Sequence, residues 1–149
     1  MTMHEYPKTV LLIHPKENRA KCSLEPLRGR PDLCFVDFSA RHPKEMPGYV
    51  RLSVEGSPLT EADATSGLLL IDGSWRHSAR MHEHFSTVPP RSLGGFRTAY
   101  PRVSKLFEDP PQGLASVEAL YIAYRILGRS TDGLLDAYFW REQFLRLNG

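Results

Sequence analysis

The chain has 149 residues, 41% hydrophobic and 24% charged, with a formal net charge of +2, ordinary values for one globular domain spanning residues 1–149. No apolar run approaches the roughly 20 residues of a membrane span, and no apolar signal region precedes the first strand, so the expected setting is the cytoplasm. Two cysteines, Cys22 and Cys34, are too few for a disulfide framework and too far apart for a zinc knuckle.

Residues 9–14 are apolar and β-branched and are closed by Pro15, which predicts a first strand. Residues 19–29 read as a loop and a short helix, with Ser23 as N-cap and Gly29 as the stop. A second strand is expected over 33–38, a loop over 39–48, and a third strand over 49–53 that ends in a turn-rich loop at 54–58. Thr60 and Asp63 have the spacing of a capping box and open a short helix. Residues 68–71 (Leu-Leu-Leu-Ile) are too uniformly apolar for a half-exposed strand and suit a buried parallel one. A helix is expected over 76–85, a connection over 88–95, a further strand over 97–103 and a Pro-rich loop over 107–113. Residues 116–127 form an amphipathic helix stopped by Gly128, and 131–147 read as the last helix. Strands alternate with helices, so the class is α/β with a mainly parallel sheet flanked by helices.

The buried strand stops at Asp72-Gly73-Ser74-Trp75. In open α/β sheets ligands lie beyond the carboxyl ends of the strands, so this corner offers a carboxylate, a hydroxyl and an aromatic wall where such folds do chemistry. Asp72 is a general-base candidate if a reacting proton comes within reach, and otherwise caps the turn. Trp75 reads as a pocket wall for a base or a sulfonium cation, or as a core indole. A second corner is residues 114–118, where a loop becomes a helix. Ser116 suits an N-cap and Glu118 a first-turn acid, and the same helix start could face a ligand carboxylate. Between positions 76 and 105 six Arg or Lys stand against one acid, a surface that suits RNA. His77, His82 and His84 are not joined by a carboxylate and read as solvent-facing or RNA-facing, with no metal expected. There is no dinucleotide glycine fingerprint, no phosphate loop and no serine-hydrolase elbow.

Asp72-Gly-Ser-Trp75, an arginine-rich middle, and Ser116-Val-Glu118-Ala119 opening a helix together resemble the DTW-domain superfamily of RNA aminocarboxypropyltransferases. Lys21-Cys22-Ser23, Leu52-Ser53 with Leu59-Thr60-Glu61-Ala62-Asp63, and Phe139-Trp140 with Phe144-Leu145-Arg146-Leu147-Asn148 are similar to motifs of its small-subunit rRNA branch. The chain departs from that branch at Val54, where proline is usual, and in lacking its Asn-Pro-x-Asn-Tyr-Gly loop; it also lacks the N-terminal cysteine cluster of the tRNA branch. The resemblance implies a SPOUT-like fold with a C-terminal trefoil knot, and a monomer. It implies S-adenosylmethionine as donor of a 3-amino-3-carboxypropyl group to a uridine or pseudouridine of rRNA or tRNA, in ribosome biogenesis or tRNA processing. By the same resemblance Asp72 and Trp75 are catalytic and line the donor pocket, and Ser23, Leu52, Ser53, Leu114, Ala115 and Ser116 contact the donor. Arg76, Arg80 and Arg102 are the expected phosphate contacts. Two other functions suit the same fold: an RNA methyltransferase, and a non-catalytic RNA-binding or ribosome-assembly factor.

Overall fold

The computed structural model describes residues 6–16, 22–96, 98–99 and 114–148, and for Trp75 the backbone alone. Five strands form one sheet: β1 (Thr9–Ile13), β2 (Leu33–Asp37), β3 (Tyr49–Pro58), β4 (Gly67–Asp72) and β5 (Pro90–Ser92), in the order β2-β1-β4-β3-β5. Every pairing is parallel. β4 is flanked by β1 and β3, which explains its unbroken apolar run: both of its faces are covered. Three helices complete the described chain: α1 (Trp75–His84), α2 (Ser116–Leu127) and α3 (Arg141–Asn148).

The strands alternate their side chains between two cores. Leu11, Val50, Leu52, Leu68 and Leu70 pack with Val117, Leu120, Tyr124 and Phe144 of α2 and α3, while Leu12 and Leu69 pack with Met81, Phe85 and Val88. Helices thus cover both faces, as parallel sheets require. Among the described residues no helix is long and apolar enough to cross a membrane.

The structure corrects four local expectations. β3 does not end at Ser53 but runs to Pro58, because a fifth strand, hidden in the Pro-containing 88–95 connection, pairs with it. The register shifts between Leu52 and Ser57, so residues 53–56 bulge at the carboxyl end of the sheet. Gly56 is required in that bulge: its φ is +97°, and a Cβ there would lie 2.5 Å from the Pro90 carbonyl oxygen. The last helix is only Arg141–Asn148; residues 131–140 make turns, with Gly133 at φ +80° interrupting the helical path. Ser23 is not the cap of a local helix: the short 3-10 turn Glu25–Leu27 has Leu24 at its N-cap. Ser116 is likewise the first residue of α2, and the N-cap is Ala115. The Thr60–Asp63 capping box and the Gly128 stop of α2, at φ +73°, are present as read. The expected strand over 97–103 and loop over 107–113 lie outside the described residues, apart from positions 98 and 99.

Candidate functional site

The two corners singled out in the sequence meet. Asp72 is the last residue of β4, and Ser116 opens α2, 44 positions later; the Ser116 hydroxyl donates to Asp72 Oδ1 at 2.5 Å. The other carboxylate oxygen, Oδ2, accepts from the Cys22 thiol at 3.0 Å. Burial, reinforced by the hydrogen bond and the charge of Asp72, pushes the Cys22 thiol up to about 12. Cys22 is therefore a fixed donor that orients the carboxylate and not a thiolate nucleophile. Ser23, next in sequence, accepts from Val117 N–H at 3.1 Å. A hydroxyl from 94 positions away thus satisfies one of the orphan donors at the start of α2.

Glu118 braces this entrance. Its carboxylate is fully buried (0% exposed) and accepts four hydrogen bonds: from Ala115 N–H at 2.8 Å, Thr98 Oγ1 at 2.6 Å, Ala99 N–H at 2.8 Å and Tyr138 O–H at 2.9 Å. The first of these is the reach-back half of a capping box. The other three tie the 98–99 segment and the turn before α3 to the head of α2. A first-turn acid was legible in the sequence; that it gathers three chain segments was not.

A cavity of about 540 Å³ opens at the carboxyl ends of β3, β4 and β5. Leu52, Ser53 and Val54 of the β3 bulge form one wall and Leu93 to Phe96 another, with Leu114 and Ser116 at the head of α2. Ile71 and Gly73, on either side of Asp72, line it too, as do Ser78 and His82 of α1. Its size and its mostly apolar lining with a few polar groups are those of a small-molecule site.

The expected contact residues Leu52, Ser53, Leu114 and Ser116 therefore border one cavity, and Asp72 is joined to it through Ser116. Ala115 is the N-cap of α2 with its N–H engaged by Glu118, and Ser23 supports the same helix end. Trp75 is the first residue of α1; its side chain lies outside the described part of the structure. Arg76 and Arg80 are exposed on α1, and Arg102 lies outside the described residues.

The histidines, expected to face solvent or RNA, are partly buried and engaged by protein groups. His77 stacks on His14, with centroids 3.6 Å apart and planes within 4°, and His84 Nε2–H donates to the His42 carbonyl at 2.7 Å. His82 is half-buried, with Nδ1 2.7 Å from Arg51 Nη1, and the buried setting together with the Arg51 cation pulls it down to about 4. The sequence signal for that pair was a charged residue, Arg51, between the apolar Val50 and Leu52 of β3. Among the described residues no three His, Cys, Asp or Glu side chains are grouped to hold a metal ion.

No protein-family model matches the chain. No curated protein matches it either. Among solved structures the fold is similar to that of the SAM-dependent rRNA:acp-transferase Tsr3 from Vulcanisaeta distributa, with a TM-score of 0.70 at 23% sequence identity over 94% of this chain and 77% of that one.

Proposed function

We propose that this protein transfers the 3-amino-3-carboxypropyl group of S-adenosylmethionine to a uridine or pseudouridine of RNA, rRNA before tRNA. The observation that carries the reading is the Ser116–Asp72 contact, which joins both recognised motifs beside one cavity on a fold shared with an rRNA:acp-transferase. We further propose the DTW and SPOUT-like assignment, a C-terminal trefoil knot, one such domain over residues 1–149, a monomeric state and a cytoplasmic setting.

The cavity suits this donor. Leucines 52, 70, 93 and 114 offer apolar walls for an adenine, and Ser53 and Ser92 offer hydroxyls for polar edges. The Asp72 carboxylate lies one hydrogen bond behind Ser116, close enough to favour a cation in the cleft. S-adenosylmethionine, when bound, supplies a sulfonium that makes its γ-carbon electrophilic. A uracil nitrogen forms the new N–C bond as the C–S bond breaks; the electron pair leaves with sulfur as neutral methylthioadenosine, and the nitrogen's proton goes to Asp72 or through it to water. With so good a leaving group the protein's main contribution is orientation. Ser116 and Cys22 hold one lone pair on each Asp72 oxygen, which leaves further acceptor positions on the carboxylate. Trp75 packs against the methionine portion, Ser23 keeps the head of α2 in place, and Arg76, Arg80 and Arg102 take RNA phosphates.

Incubation with RNA and donor labelled in the aminocarboxypropyl arm is expected to give labelled aminocarboxypropyl-uridine and methylthioadenosine. Methyl-uridine with S-adenosylhomocysteine would replace this reading by methyl transfer, and absence of donor binding in calorimetry would replace it by a non-catalytic role.

A further inference from the structure

Arg51 and His82 meet beside the cleft, and the reaction above uses neither. Arg51 sits within β3, 8% exposed, and donates to the Val88 carbonyl at 3.4 Å and to His82 Nδ1 at 2.7 Å. A guanidinium carries only donors, so Nδ1 accepts, and the neutral ring keeps its proton on Nε2 at its other edge. Burial, with the Arg51 cation second, holds His82 near 4, so the ring is neutral at physiological pH. Burial also lowers Arg51 from its usual value, against the pull of Glu55. His82 lines the cavity together with Ser78, one helical turn earlier on the same face of α1.

A buried cation is costly unless something offsets its charge. The carbonyl and the neutral imidazole that touch Arg51 offer dipoles and no charge, and Glu55 acts on it only through space, without overcoming the cost of burial. With Nδ1 bound to the cation, the Nε2–H edge is the positive end of the pair, and His82 borders the open cavity with Arg51 behind it.

We propose that Arg51 and His82 form an anion-recognition site in the cleft: His82 donates its Nε2–H to a negatively charged oxygen of the ligand, and Arg51, one hydrogen bond behind, fixes the tautomer and supplies the charge. The inference rests on the functional reading above and deepens it, since that reading brings two such oxygens: the amino-acid carboxylate of the donor and the phosphodiester of the RNA. His82 is the contacting residue and Arg51 the positioning residue.

Calorimetry on wild type, His82→Phe and His82→Gln separates these sources, using S-adenosylmethionine, methylthioadenosine (which lacks the carboxylate) and a uridine-containing RNA oligonucleotide. If the carboxylate is bound, His82→Phe weakens S-adenosylmethionine about tenfold or more and leaves methylthioadenosine within about twofold, and His82→Gln, which restores a donor, recovers part of the loss. If the phosphate is bound, both small ligands are unchanged and RNA weakens by a similar factor. Equal losses for S-adenosylmethionine and methylthioadenosine, or no loss for any of the three, overturn the site. Nitrogen-15 NMR of the wild-type histidines gives an independent reading: His82 is expected to stay neutral with its proton on Nε2 from about pH 8 to about pH 5, and titration near the ordinary value of about 6.5 would overturn the tautomer lock. Wild-type protein that binds none of the three ligands sinks the functional reading and this site together. Wild type that binds them while the His82 variants bind as well sinks this site alone.

Discussion

α2 carries a polar network at each of its ends, and the two behave differently. At its start, Ser116 and Glu118 gather Asp72, Thr98, Ala99 and Tyr138 beside an open cavity. At its finish, the Thr9 hydroxyl donates to Tyr124 Oη at 2.8 Å, and Tyr124 donates to Asp32 at 3.1 Å. Asp32 also meets Arg30 at 2.9 Å, and Arg30 donates to the Asp132 carbonyl at 2.6 Å. Arg129, just past the helix, donates to the carbonyls of Ala64 and Ser66 and lies over the Tyr6 ring, 3.7 Å from its centroid. These bonds run from protein group to protein group and tie β1, the turn before β2 and the helix end together. The same residue chemistry thus fastens the amino edge of the sheet and furnishes the carboxyl edge. What differs is the cavity, and parallel sheets bind ligands at the carboxyl edge.

Three substitutions test that division. The largest effect is expected from Asp72→Ala: product formation should fall by about 100-fold or more, the scale of a lost acid–base or orienting group, with most of the folding stability kept. Turnover within a few-fold of wild type would make Asp72 a structural tie and turn the carboxyl edge into a second fastening. Glu118→Gln comes next, because it sets an amide with two donors among four groups that all donate. A loss of about 2 kcal/mol in chemical denaturation is expected, together with weaker donor binding as the 98–99 segment comes loose. Tyr124→Phe should cost about 1 kcal/mol of stability and leave turnover per folded molecule unchanged. A fall in turnover without a fall in stability would break the comparison from the other side.

The sequence was most readable where local chemistry decides. The uniform apolar run of β4, the Thr60–Asp63 capping box, and α2 with its Gly128 stop all appear as their own residues dictate. It was least readable where a distant partner decides. Pro90 argued against a strand, yet β5 forms at the sheet edge, where a proline is tolerated, and there it extends β3 by the bulged segment. Leu134 and Leu135 have helical spacing and are buried, but they are buried in turns. In the site, Leu52, Ser53, Leu114 and Ser116 were named from motifs and line one cavity, with Asp72 held behind Ser116. Cys22 and His82 were read as bland because their partners, Asp72 and Arg51, are 50 and 31 positions away. Nothing in periodicity reports a contact of that range.

The smallest expected effect concerns the two cysteines, and it tests how firmly the carboxyl edge is assembled before any ligand arrives. Cys34 is exposed, whereas Cys22 gives its proton to a hydrogen bond with Asp72 in a partly buried setting. Its thiol is raised from the ordinary 9.0 to about 12, by burial first and by Asp72 second. At pH 8 the folded protein should therefore lose one thiol quickly to iodoacetamide, Cys34, with Cys22 reacting only at the rate of unfolding. The sign of the linked effect follows. A folded state that keeps a proton the unfolded chain releases becomes less stable as pH rises, from about 9 toward 12, and below 9 this contribution is fully present. Asp72→Ala removes the second cause and leaves the first, so Cys22 alkylation should quicken without reaching the Cys34 rate. Rapid modification of Cys22 in wild type would mean that the Asp72 carboxylate is not held by its two donors. The carboxyl edge would then be arranged by its ligand, unlike the amino edge, which is held by its own hydrogen bonds.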